Sequence, residues 1–164
     1  MNERNEIALT DADNCRVQYS VVMPPPPLKA FGRRGDKQGA LSSPYGIAFH
    51  NVNIIVAECG NNRVKLFGGR GEFLGQFGGK GSLGHQLDHP HGLSIDSDGN
   101  VIDADLENKR IKIFSNDGQI LHKIGAEGSL SKPIHCIQHG SFLIVSDTGD
   151  HLYQSPGQGG KCSL

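Results

Sequence analysis

An all-β fold is predicted for this chain of 164 residues, and three observations predict it. One pattern returns every 46–47 residues, the segments within each return are short and alternate in polarity, and no stretch carries a helix-period apolar stripe of useful length. From Pro44 the chain reads P-Y-G-I-A-F, then N-I-I-V-A-E-C-G-N-N-R-V-K-L-F, then G-E-F-L-G-Q-F-G. From Pro90 it reads P-H-G-L-S-I, then N-V-I-D-A-D-L-E-N-K-R-I-K-I-F, then G-Q-I-L-H-K-I-G. Pro44 and Pro90 are 46 residues apart, whereas Arg16, Arg63 and Arg110 are spaced by 47. A decayed copy starts at Pro133, and a partial one opens the chain as I-A-L-T-D-A-D-N-C-R-V-Q-Y.

Each unit divides into four short strands. In the unit from Pro90 they are expected near His91–Ile95, Asn100–Ala104, Lys109–Phe114 and Ile120–Ile124, separated by D-S-D-G, D-L-E-N and N-D-G turns. Gly99 and Gly118 follow aspartates in turns that accommodate a positive φ. In Arg110–Phe114, Ile111 and Ile113 face one way and Lys112 the other, the alternation of a half-buried strand. A period in the forties with four strands per unit is the pattern of a β-propeller blade. Strand counts of three, four, four and three give an expected total of 14.

Composition narrows the function. Lys and Arg number 16 against 17 Asp and Glu, which excludes a uniformly basic nucleic-acid binder and an acidic tail protein. No run approaches the roughly 18 apolar residues of a membrane span, and Met-Asn-Glu-Arg-Asn-Glu has no secretory pattern as written. Cys15, Cys59, Cys136 and Cys162 are scattered without C-x-x-C, so neither a disulfide framework nor a zinc module is indicated. A reducing, cytoplasmic setting with no membrane contact is expected.

The run D-x-x-N-x-R-[V/I] occurs as Asp11…Asn14…Arg16-Val17 and as Asp105…Asn108…Arg110-Ile111, and with Glu58 in the acidic place as Glu58…Asn61…Arg63-Val64. With Phe31-Gly32, Phe77-Gly78 and the P-x-G segments, it resembles the NHL repeat over nearly all of residues 6–154, and most of all the repeats of the TRIM–NHL proteins. The resemblance implies a propeller of six blades that follows RING, B-box and coiled-coil segments and binds protein or RNA. It also implies ubiquitin-ligase function for a parent that carries a RING. No RING cysteines or histidines are in this chain, so the chain itself is expected to be non-catalytic and to need no cofactor.

The third copy departs from the pattern, with Pro133-Ile-His135 for P-x-G, Leu152 for Arg and Ser155-Pro-Gly-Gln-Gly-Gly160 for a closing strand pair. Six units of about 47 residues need far more than 164, so the expectation is an incomplete propeller arc of four-stranded antiparallel blades. Its expected divisions are a partial blade with a Pro-rich connector (1–27), NHL repeats at 28–81 and 82–128, a degenerate repeat at 129–154 and a flexible tail at 155–164. An open arc exposes aliphatic blade faces. A fragment of a ring is the favoured reading; two arcs self-associating through those faces, or one marginal arc, are the others.

Charge is uneven along the chain. Residues 28–81 are net +5 through Lys29, Arg33, Arg34, Lys37, Arg63, Lys65, Arg70 and Lys80, and residues 82–164 are net −4. Single-stranded RNA asks for a basic groove with planar side chains that stack on bases. Tyr45 in P-x-G is the best stacking candidate and His91 holds the matching place, with Lys65 and Arg70 as basic-face candidates. The net negative stretch would oppose a phosphate backbone, and the bland reading of the cations is a solubilising surface. The recurring Asp11, Asn14, Arg16, Glu58, Asn61, Arg63, Asp105, Asn108, Arg110 and Asp147 read as structural loop residues. Positions that vary on the same loop, Asn62, Lys109 and His151, are the better partner contacts.

His85, His89 and His91, like His135 and His139, lack ligand spacing and read as exposed turn histidines, so no metal is expected. The alternative is a metal-dependent propeller lyase or hydrolase using channel histidines. No G-x-S-x-G is present, and Gly78-Gly-Lys-Gly-Ser82 is discarded as a phosphate loop because no helix follows it.

Overall fold

The structure is a computed structural model that describes residues 2–22, 29–125 and 128–149. Four antiparallel sheets follow one another along the chain. The first contains β1 (Glu6–Asp11), β2 (Arg16–Val21) and β3 (Lys29–Phe31). The second contains β4 (Pro44–His50), β5 (Asn53–Glu58), β6 (Arg63–Phe67) and β7 (Phe73–Gly78). The third contains β8 (Pro90–Ile95), β9 (Val101–Asp105), β10 (Arg110–Phe114) and β11 (Ile120–Ile124), and the fourth β12 (Pro133–His139) and β13 (Phe142–Asp147). Strands pair in sequence order within each sheet, and the described residues contain one short helical element, a 3-10 turn at Cys59–Asn61. The described residues therefore form thirteen strands. The further strand expected around Leu152, the Pro-rich connector, the tail and His151 lie outside the described residues.

The sheets stack as blades. The first strands of consecutive sheets lie side by side, β4 beside β8 and β8 beside β12, without pairing. Three apolar layers fill the spaces between blades. Val17, Ile54, Val56 and Phe67 lie between the first and second sheets. Ile55, Val64, Val101 and Phe114 lie between the second and third, and Ile102, Ile111 and Cys136 between the third and fourth. Leu41 and Leu87, from the linkers that join blades, are fully buried in the first two layers. Each such side chain contributes about 1.5–3 kcal/mol by leaving water.

Stacking on both sides changes the meaning of alternation. Strand β10 is buried along its whole length, so Lys112 does not face solvent as a half-buried strand would place it. Ile111 and Ile113 pack toward the fourth sheet, while Lys112 is buried on the side of the second. The turn glycines behave as read: Gly99 and Gly118 have φ of 84° and 83°, and their N–H groups donate to Asp96 O and Ser115 O.

Antiparallel order sends the connections to two opposite ends. The loop end collects the blade linkers, the P-x-G segments and the β1–β2, β5–β6 and β9–β10 loops; the turn end collects the other strand connections. Apart from the acid–arginine pairs described below, the loop end carries Arg33, Arg34, Lys37, Lys80, Lys109 and Lys132 against Asp13, Asp36, Asp88, Glu107 and Asp147. At the turn end, Glu3, Glu6, Glu72, Asp96, Asp98 and Asp117 stand against Arg4, Lys29 and Arg70. Of the acids of the C-terminal half, Asp96, Asp98 and Asp117 thus stand away from the loop end, whereas Asp88, Glu107 and Asp147 remain there. No described helix is long and apolar enough to cross a membrane.

Candidate recognition surface at the loop end

β4 and β8 open with the P-x-G segment and β12 with Pro133-Ile-His135, and the register of each against the second strand shifts there, between Pro44 and Ile47, Pro90 and Leu93, and Pro133 and His135. Such a bulge re-aims the intervening side chain. Tyr45 emerges 46% exposed and its ring stacks on His91, with centroids 4.7 Å apart and planes 20° apart. These rings, with Ile134 and His135 from the next blade, line an open concavity of about 340 Å³ where the inner strands of three blades converge. Burial, and then the charge of His91, push His135 below its ordinary value of 6.5.

Glycine makes this convergence possible. A Cβ on Gly46 would lie 2.3 Å from His91 O and 2.7 Å from Leu93 N, and one on Gly92 would lie 2.4 Å from Ile134 O. The next blade's backbone occupies the space a side chain would need, which accounts for the third residue of P-x-G.

The recurring acid, Asn and Arg build the rim around the concavity. Asp105 Oδ2 accepts from Arg110 Nε at 2.7 Å, Asp105 Oδ1 from Asn108 Nδ2 at 3.0 Å and from the Asp88 N–H at 2.7 Å. Glu58 repeats the set with Arg63 at 2.6 Å, Asn61 at 2.7 Å and the Ser42 N–H at 2.9 Å. Asp11 takes Arg16 at 2.8 Å and Asn14 at 2.9 Å, and those bonds, Arg16 first, hold its carboxyl below the ordinary range. Asp147 accepts from the Ser131 and Lys132 N–H groups. Arg63 and Arg110 also donate to the preceding linker, at Asp36 O and Ser82 O.

Lys65, expected on a partner-binding face, is corrected by the structure. Its side chain is fully buried, and Nζ donates to Lys37 O at 2.8 Å and Ala40 O at 2.5 Å. Burial lowers its pKa, opposed by Glu58 3.6 Å away. Lys112 does the same one blade on, donating to Leu83 O, Gly84 O and Gln86 O. Burial and then Arg110 lower it to about 8, opposed by Asp105 and Asp103. The two lysines clip the blade linkers in place, and single-sequence alternation hides them because it reads a charged strand residue as solvated.

The remaining candidates separate. Lys109 is exposed at a left-handed loop position (φ 53°) and shares a cleft with Ser82 and Lys123. Asn62, also left-handed (φ 56°), is half-buried and accepts the His89 N–H on Oδ1 at 2.9 Å. Arg70 is exposed at the turn end, far along the strands from Tyr45, and lines a cleft with Arg4, Tyr19 and Lys29. His85 is exposed, and His89 Nδ1 lies 2.8 Å from Asp88 Oδ1. Among the described residues no three His, Cys, Asp or Glu side chains are grouped to hold a metal ion.

This geometry defines a class: an all-β arc of propeller blades. The NHL repeat matches residues 87–114, which span the end of the linker before the third sheet through β10. Over 69 residues the chain is 41% identical to RING finger protein nhl-1 of Caenorhabditis elegans, and over 66 residues 36% identical to Protein brain tumor of Drosophila melanogaster. Those alignments cover 42% and 40% of this chain but only 7% and 6% of the two relatives. Among solved structures, virginiamycin B lyase from Staphylococcus aureus superposes with a TM-score of 0.71 at 15% identity, covering 90% of this chain and 47% of that one. A chain of the nidogen/laminin complex gives 0.66 at 20% identity, covering 87% and 51%. At these identities both likenesses are of fold alone, and both support a partial propeller.

Proposed function

We propose that the chain is a non-catalytic recognition module that binds a protein or RNA partner across its loop end, and that single-stranded RNA is the partner its chemistry suits best. One observation carries the reading: the Tyr45–His91 stack lines a concavity at the same end of the blades as the cationic linkers that hold Arg33, Arg34, Lys37 and Lys80. A base stacks on such rings while lysines and arginines track the phosphates. The relation to a RING finger protein supports a place in ubiquitin-ligase or post-transcriptional regulation for a longer parent. The unpaired thiols of Cys15, Cys59 and Cys136 support a cytoplasmic setting.

Binding of labelled single-stranded RNA oligomers over a salt series tests this. Tyr45→Ala is expected to weaken binding by about 1–3 kcal/mol, one stacked base. Arg33→Glu with Lys37→Glu is expected to weaken it further and flatten the salt dependence. Undiminished RNA binding by both variants overturns the RNA reading, and a salt-insensitive protein ligand blocked by Tyr45→Ala selects the protein reading.

A further inference from the structure

We infer that His91 and His135 form a proton-gated anion site: with both imidazoles protonated, the concavity between the inner strands takes up one phosphodiester group of a bound RNA strand. The anion site rests on the geometry of the two rings, and the identity of its occupant rests on the RNA reading above. The register shifts of β8 and β12 turn both rings to one concavity of about 340 Å³. A Cβ on Gly92 would lie 2.3 Å from His135 Nδ1, so that ring sits against the β8 backbone one residue from His91. His91 in turn is stacked on Tyr45, which holds its plane. Among the described residues neither imidazole has a hydrogen-bond or ion-pair partner on its ring, whereas His89 Nδ1 has Asp88 Oδ1 at 2.8 Å.

The surroundings supply no counterion. Tyr45 is the other titratable side chain lining the concavity, and no carboxylate, lysine or arginine lines it. The acids of the elements packed around it are held elsewhere: Asp11 by Arg16, Glu58 by Arg63, Asp105 by Arg110, and Asp147 by the Ser131 and Lys132 N–H groups. Asp103 is fully buried opposite Leu93, the Cys136 thiol is buried in the layer between the third and fourth sheets, and Lys132 is exposed beyond Pro133. Histidine is the side chain that ordinarily changes charge between pH 5 and 8. As pH falls through that range, two positive charges gather here and oppose one another; burial, and then the charge of His91, already hold His135 below 6.5. An anion bound against both rings removes the opposition, so anion uptake and proton uptake favour each other. A phosphodiester brings a fixed negative charge and acceptor oxygens for two N–H donors.

The test uses the full chain. Its imidazoles are titrated by NMR in sodium sulfate, whose charge is fixed over the range, and in sodium chloride at equal ionic strength. Sulfate is expected to raise the midpoints of His91 and His135 and to leave those of His50 and His139, at the turn end, unmoved. No movement, or equal movement of all four, overturns the inference. In a second arm oligouridylate, whose bases do not titrate here, is expected to bind about tenfold or more tighter at pH 5.5 than at pH 7.5. His91→Gln with His135→Gln is expected to remove that gain. Binding without the gain in the parent, or a gain kept by the double variant, overturns the inference. Sulfate uptake at the two histidines with no oligouridylate binding at any pH overturns the RNA reading, and with it the occupant, while the anion site stands.

Discussion

Asp103 is a carboxyl group where the repeat calls for a hydrocarbon, and Asp103→Val should stabilise the protein. In the register of the sheets Asp103 lies between Leu93 and Lys112, as Val56 lies between Ile47 and Lys65, and Val145 holds the same place opposite Cys136. Asp103 is fully buried, and neither carboxyl oxygen has a hydrogen-bond partner. Burial, and then the charge of Asp105, raise its pKa well above the ordinary 3.8, against Lys112. An unpartnered buried polar group costs about 1–3 kcal/mol. Valine removes that cost at similar volume, and each kcal/mol moves Tm by about 2–4 °C in a chain of this size. The gain has a pH signature. Below 3.8 the carboxyl is neutral in folded and unfolded chains alike; above it the unfolded chain ionises first, so the native protein loses stability as pH rises toward the folded value. Urea melts of both proteins from pH 3.5 to 7.5 should show an advantage of Asp103→Val that widens with pH. A variant that is less stable than the parent, or an advantage that is flat in pH, refutes the reasoning.

Other outcomes follow from the same contacts. Gly46→Ala should cost about 1–3 kcal/mol in thermal melts, because its methyl group meets the β8 backbone and not a movable side chain. Lys112→Met keeps the apolar stem but leaves Gly84 O without its donor and Leu83 O and Gln86 O with Arg110 alone, and should lower stability by about 1–3 kcal/mol in urea melts. His91→Ala removes a positive neighbour from His135, so NMR titration should find the His135 pKa moved up toward 6.5. Since His135 is depressed in the folded protein, its contribution to stability falls as pH drops through the ordinary value, and His91→Ala should lessen that fall.

Much of the architecture was legible because it is written several times. The spacing of Arg16, Arg63 and Arg110 identifies equivalent positions, and the structure gives those arginines equivalent partners at Asp11, Glu58 and Asp105. Tyr45 and His91 were legible through P-x-G, which places both on one rim. Arg70 was grouped with them only by nearness in sequence; it follows β6, one strand beyond the β5–β6 loop, and one antiparallel strand carries the chain to the other end. Lys65 and Lys112 were not legible as buried residues, because burial there depends on a neighbouring blade and on linker carbonyls some 25 to 29 residues away in sequence. Asp103 breaks a pattern of Val56 and Val145 that becomes visible only once the strand register is known.

The separation of cations and acids between the two rims also acts before any contact. For the polyanionic partner proposed above, a body with uneven charge at its ends would experience a torque in that partner's field and approach with its loop rim forward. Collisions are then enriched in productive orientations, and association slows with added salt even where the bound complex is unchanged.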